Sequence, residues 1–167
     1  DRLTKLLQDY RLPPHLLELE LTESILLQDA QEAAQRLEKV AALGVALAID
    51  DFGTGYSSLA YLKKLDIDRL KIDRTFVMGL PSDEGDSAIV QAVVSMGRAL
   101  GFSVVAEGVE TREQRLALQA MGCEYYQGFL CAPGLPAAEF RARMVALTPE
   151  QKRMVKRTPC RSRAAKR

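Results

Sequence analysis

The chain has 167 residues, enough for one globular core and too few for two ordinary domains. Apolar residues make up 47% and charged residues 27%, the balance of a water-soluble protein, and no apolar run approaches the ~18 residues of a membrane span. The formal charge of +1 conceals a strong asymmetry: residues 151 to 167 carry eight cations and no acid, which leaves about −7 for residues 1 to 150.

His15 is the only histidine, which excludes a Ser-His-Asp triad and a histidine-rich metal centre. The three cysteines, Cys123, Cys131 and Cys160, contain no C-x-x-C pair, which argues against a disulfide framework and a zinc site. Cys123 and Cys131 are expected as small apolar core residues in a reducing cytosol, and His15, after Pro13 and Pro14, in a loop or strand entry. The opening residues Asp1 to Lys5 contain no secretory h-region, and the chain does not begin with Met. It is therefore expected to be part of a longer cytoplasmic protein, whose membrane anchor, if any, lies upstream. Residues 1–147 are expected to form the folded unit. The basic segment 148–167, with Pro159 and few large apolar residues, is expected to be a disordered tail, and neither DNA nor RNA is an expected partner.

In chain order, Leu17 to Leu21 reads as a strand and Asp29 to Leu43 as a helix, capped by Asp29 with Glu32 three residues later and stopped by Gly44. Val45 to Asp50 is a strand, followed by a loop from Asp51 to Tyr56 and a short helix from Ser57 or Ser58 through Leu65. Arg69 to Asp73 is a strand, Asp86 to Leu100 a helix ending at Gly101, and Phe102 to Glu107 a strand. Thr111 and Gln114 form a capping box for a helix that ends at Gly122; Tyr125 to Leu130 is the last strand and Ala137 to Leu147 the last helix.

Alternating strands and helices define parallel pairing with helical crossovers. Residues two apart on a strand share a face. One face of each strand is apolar (Leu47 and Ile49, Leu70 and Ile72, Val104 and Ala106), while the other carries Glu18 and Glu20, Ala46, Ala48 and Asp50, Arg69, Lys71 and Asp73, Ser103, Val105 and Glu107, then Tyr125 and Gln127. A doubly wound sheet buries both faces and would show continuously apolar strands. One polar face with charges near the C-terminal ends fits the interior and upper rim of a (β/α) barrel of TIM type, of which about five strand–helix units are present. That rim gathers Glu20, Asp50, Lys71, Glu107 and Gln127, with Glu23, Asp51 and Asp73 one step away. Converging acids repel one another unless a cation neutralises them, and oxygen-only donors suit Mg²⁺ or Mn²⁺ better than zinc or copper. An added lysine fits metal-assisted chemistry on phosphate esters.

Five segments carry a resemblance. Glu20-Leu21-Thr22-Glu23-Ser24, the run Asp50-Asp51-Phe52-Gly53-Thr54-Gly55-Tyr56-Ser57-Ser58-Leu59, Leu70-Lys71-Ile72-Asp73, Ala106-Glu107-Gly108-Val109-Glu110 and Gln127-Gly128-Phe129 resemble, in order, the E-[IVL]-T-E-S, D-D-F-G-[TA]-G-Y-S-S-L, L-K-I-D, A-E-G-V-E and Q-G-[YF] motifs of EAL domains. They span Leu17 to about Phe140. The resemblance implies a cytoplasmic phosphodiesterase that hydrolyses cyclic-di-GMP to linear pGpG with two Mg²⁺ or Mn²⁺ ions, Ca²⁺ being inhibitory. It implies that Glu20, Asp50 and Asp51 are metal ligands, that Lys71 positions the attacking water, that Glu107 lies at or beside the metals, and that Gln127 helps hold the hydrated site. Asp73 is implied to bind substrate. Glu23 is implied to anchor the mobile loop Asp51 to Ser58, where Gly53 and Gly55 permit backbone conformations other residues avoid. The same loop contributes to dimer contacts in the family, so a homodimer of the full domain is expected, with a sensory or cyclase domain upstream. The other reading is an inactive cyclic-di-GMP receptor or scaffold.

Two family features match nothing here: the Glu-x-Leu strand, whose glutamate is a ligand, and an asparagine ligand ahead of the position of Glu20. Without them Mg²⁺ binding is expected to weaken, the strand Leu17 to Leu21 to keep an open edge, and Ala46, Ala48 and Val105 to face water or a partner. The isolated chain is accordingly expected to be poorly stable or to associate, and to hydrolyse little.

Overall fold

The computed structural model describes residues 2–23, 30–55, 62–63 and 65–147. Helix α1 (Arg2–Asp9) and a 3₁₀ turn (Pro14–Leu16) precede β1 (Glu18–Thr22), α2 (Ala30–Ala42) and β2 (Ala46–Phe52). Then follow β3 (Arg69–Ile72), α3 (Arg74–Met78), α4 (Glu84–Leu100), β4 (Ser103–Ala106), α5 (Arg112–Ala120), β5 (Tyr125–Tyr126) and α6 (Ala137–Ala146). The strands form one parallel sheet in sequence order, β1-β2-β3-β4-β5. This is the five-strand wall of a (β/α) barrel. Among the described residues β1 pairs with β2 alone, so its other side is an open edge.

The core lies where the alternation places it, between the sheet and the helices. Leu47, Ile49, Leu70, Ile72, Val104 and Ala106 pack against Leu37 and Ala41 of α2, Val90, Val93 and Val94 of α4, and Leu118 of α5. The opposite face differs from expectation at two positions, since Ala46 and Ala48 are buried rather than turned to water. Ala46 pairs with Glu18, and Ala48 with both Glu20 and Arg69. Arg69 Nη1 reaches Glu18 Oε2 at 2.6 Å, so a charged pair from β1 and β3 closes over the β2 alanines. Small residues there let long side chains lie across the strand. Val105 remains half-buried.

Several boundaries move. Helix α4 starts at Glu84, capped by the Asp83 carboxylate on the Asp86 amide, so Asp86 is inside the helix rather than at its start. The capping box on α5 forms as read, with Thr111 and Gln114 each bonding the other's backbone amide. The last strand keeps two residues instead of six, because a turn begins at Gly128. Cys131 therefore leaves the sheet and is exposed, whereas Cys123 is buried and its thiol pushed up to about 11 by that burial. His15 lies exposed in the 3₁₀ turn. Helices α1 and α3 were not anticipated, while Asp29, Tyr56, Ser57, Ser58 and residues 148–167 lie outside the described residues. No helix among the described residues is long and apolar enough to cross a membrane.

Candidate active site

The C-terminal strand ends bring four of the expected residues into direct contact. Lys71 projects inward from β3 and is 6% exposed. Its Nζ lies 2.7 Å from Glu20 Oε1 of β1, 2.9 Å from Asp50 Oδ1 of β2 and 2.7 Å from Glu107 Oε1, just past β4. Gln127, immediately after β5, donates from Nε2 to Glu107 Oε1 at 2.8 Å. Five strands thus contribute one residue each to a continuous polar chain. The contact to Asp50 is ionic rather than directed: Oδ1 is buried and no donor is aligned with it as a hydrogen bond.

The last step of that chain is built on a close backbone approach. Gln127 accepts from the Val109 amide at 3.0 Å through its carbonyl, and the Leu130 amide donates to the Val109 carbonyl at 3.0 Å. Gly128 sits between them with φ 154°, and a Cβ there would collide with the Val109 backbone nitrogen and oxygen. Only glycine lets the Glu107-to-Glu110 segment and the end of β5 lie this close.

Asp51 reaches the site through an irregularity. Ile49 pairs with Leu70 but Phe52 with Ile72, so β2 holds one residue more than β3 over that stretch. The extra residue makes a β-bulge, and Asp51 stands in it with φ 52°, a left-handed conformation that costs a non-glycine residue free energy. A regular strand would aim Asp50 and Asp51 to opposite faces. Here one carboxylate oxygen from each of Asp50, Asp51 and Glu107 falls within 4.8 Å of the others.

Glu23, 3% exposed, is tied to the loop that follows. Its Oε2 accepts from the Gly53 amide at 3.2 Å and the Gly55 amide at 3.1 Å. Thr54 turns back and donates from its hydroxyl to the Asp51 carbonyl at 2.8 Å, and Phe52 is buried in the core. Asp73, expected at a strand end, is instead the N-cap of α3. It accepts from the Thr75 amide at 2.8 Å and from the Thr75 hydroxyl.

Burial pulls the Lys71 ammonium down, but the surrounding Glu107, Glu20 and Asp50 carboxylates outweigh it, and its pKa lies well above the ordinary value. Glu107 is pushed up by burial, with Lys71 opposing and the charges of Asp50 and Glu20 adding to the rise. Asp51 is raised by desolvation, by the charge of Asp50 and by a hydrogen bond to Asp73. Desolvation pushes Asp73 up as well, yet its bonds to Thr75 hold it below the ordinary carboxylate range. Four carboxylates facing one ammonium leave a net negative centre made only of oxygen donors. Such a set fits a hard divalent cation.

Sequence reading missed two features. The Glu18–Arg69 pair deeper in the barrel was visible only as charge on the inner face. A recess of about 840 Å³ also opens beside Glu107 and Gln127, walled by Arg74, Phe129, Leu135 and Phe140 among others. Its walls come from three separate segments with no shared pattern.

Comparison with known proteins agrees with this geometry. The family model for the EAL domain matches residues 1–134, beginning sixteen residues before the resemblance at Leu17. A bifunctional diguanylate cyclase/cyclic di-GMP phosphodiesterase of Pseudomonas aeruginosa, MucR, is 50% identical over 130 residues, covering 78% of this chain and 19% of that protein. The structure of the PaMucR phosphodiesterase in complex with c-di-GMP superposes with a TM-score of 0.80 at 47% identity, over 82% of this chain and 56% of that one. Klebsiella pneumoniae BlrP1, in a manganese/c-di-GMP complex, gives a TM-score of 0.71 at 38% identity, over 77% of this chain and 33% of that one, and a calcium/c-di-GMP complex of the same protein matches equally. The chain belongs to the EAL domain family. It spans less than a fifth of the length of the first curated relatives it matches.

Proposed function

We propose that the chain carries the C-terminal part of the active site of a metal-dependent phosphodiesterase that hydrolyses cyclic-di-GMP to linear pGpG. The observation that supports this most directly is the junction of Lys71 with Glu20, Asp50 and Glu107, beside Asp51. A receptor that no longer turns its ligand over has no need to keep a buried ammonium at the centre of these carboxylates.

Asp50, Asp51 and Glu107, with Glu20, are the residues that would hold Mg²⁺ or Mn²⁺. A divalent cation bound there supplies Lewis-acid polarisation of the phosphoryl oxygens and lowers the pKa of a water. Lys71, held protonated, cannot accept a proton; it donates, fixing the attacking water and neutralising charge that develops on phosphate oxygens. Gln127 keeps Glu107 oriented through its 2.8 Å bond. Glu23 anchors the loop that begins at the Asp51 bulge, and Asp73, bound to Asp51, orients that carboxyl more than it touches substrate. The parent protein is read as acting in the cytoplasm, as a homodimer, with other domains attached.

Incubation with cyclic-di-GMP and Mn²⁺, followed by chromatography for pGpG, tests this. Product is expected with the wild-type chain or with the chain extended upstream, and background levels are expected for Glu20→Ala and Asp50→Asn. Turnover that survives either substitution, or survives EDTA, refutes the assignment.

A further inference from the structure

The recess beside the carboxylate centre is continuous with it, because Glu107 and Gln127 belong to both. Whatever carries a phosphodiester to the centre must send its neighbouring group along this wall. We infer that the recess receives one guanine base of the cyclic dinucleotide and that Arg74 reads its acceptor edge, an inference that rests on the function proposed above.

Two arginines line the recess, and they are not equivalent. Arg143 donates to the Cys131 carbonyl and is thereby committed to holding the wall. Arg74 makes no hydrogen bond or ion pair among the described residues; the electrostatic neighbour recorded for it is Asp73, itself occupied by Thr75. Its position is nonetheless built in. Gly108, with φ 68°, follows Glu107, and a Cβ there would lie 2.7 Å from the Arg74 Cβ. The glycine admits the arginine stem directly beside the catalytic carboxylate. Across the recess Phe129 and Phe140 are 70% and 55% exposed, an unusual state for two phenylalanines facing the same space.

An uncommitted guanidinium and bare aromatic rings suit a flat purine. Guanine presents two acceptors, O6 and N7, that match the guanidinium fork, whereas adenine presents an amino donor in place of O6, which arginine cannot satisfy. Aromatic faces stack on either base alike. Recognition therefore divides: the phenylalanines hold a base, and Arg74 chooses which.

Equilibrium binding of cyclic-di-GMP and cyclic-di-AMP to the 167-residue chain, in EDTA so that no turnover intervenes, separates these roles. Arg74→Ala is expected to weaken cyclic-di-GMP roughly 5- to 150-fold and to leave cyclic-di-AMP unchanged. Arg74→Lys is expected not to restore the preference, since an ammonium cannot form the paired contact. Phe129→Ala is expected to weaken both ligands by the same factor. Unchanged cyclic-di-GMP binding by Arg74→Ala, with hydrolysis retained, overturns the inference and leaves the proposed activity standing. Equal weakening of both ligands by Arg74→Ala also overturns it, because that pattern marks a phosphate contact. A wild-type chain that neither binds nor hydrolyses cyclic-di-GMP defeats the functional proposal and this inference together.

Discussion

Lys71→Met separates the electrostatic role of the lysine from its bulk. Methionine approximates the stem, so packing against the sheet is largely kept. What disappears is the charge shared by three carboxylates. Glu107 and Asp50 have side chains 16% and 23% exposed, whereas Glu20 is 46% exposed. Breaking a buried ion pair costs about 3–5 kcal/mol, and an exposed one about 0–1 kcal/mol. Partial exposure of all three carboxylates places the loss at about 3 kcal/mol without divalent ions, a fall of about 1–2 M in the urea midpoint.

Two further readouts make the prediction specific. Divalent cations should stabilise Lys71→Met more than wild type, because in the variant the cation alone opposes the clustered acids. The alkaline limb also differs. The folded pKa of Lys71 lies above its ordinary 10.5, so its contribution is complete below pH 10.5 and lost as pH rises through the folded value. The stability difference between wild type and variant should therefore shrink only above that pH. Equal urea midpoints in EDTA, or equal shifts on adding Mn²⁺, would refute the reasoning.

Other substitutions report on neighbouring parts of the site. Glu23→Ala strips the shared acceptor from the Gly53 and Gly55 amides; a cost of about 1–3 kcal/mol and faster hydrogen exchange at both amides are expected, with Glu23→Gln intermediate. Gly128→Ala forces a Cβ into the Val109 backbone, and a loss of about 3 kcal/mol or more is expected in urea melts. Asp51→Gly relieves the left-handed strain and the repulsion from Asp50. Metal-free stability should rise by about 1 kcal/mol while Mn²⁺ affinity, followed by calorimetry, drops at least ~10-fold.

The barrel was legible because its determinants are local and periodic. Alternation on each strand set Leu47 and Ile49 against Asp50, and Leu70 and Ile72 against Lys71, and the sheet keeps that division. Thr111 and Gln114 announced their helix because a capping box needs only four residues. Harder to read were features that depend on partners far along the chain. Ala46 and Ala48 looked uncovered because nothing local to β2 reveals that Glu18 and Arg69 meet above them. Cys131 looked like a strand residue because its run is apolar, but the contact of Gly128 with Val109, nineteen positions earlier than Gly128 in the chain, ends the strand first.

The pair Asp50-Asp51 shows where legibility stops. Strand periodicity places Asp50 on the inner face and therefore sends Asp51 outward, so the two acids should not share a site. Nothing in the sequence short of the family resemblance contradicts that. The structure resolves it with one extra residue in β2, accommodated because aspartate tolerates the left-handed region better than most side chains. The bulge costs strain and places two like charges together, and the fold alone has no use for either. A site that must gather several oxygen donors around a cation does have a use for them. The least favourable backbone position described in β2 is therefore the one that binds the fold to its chemistry, and the anchoring of the following loop by Glu23 is what keeps that position from relaxing.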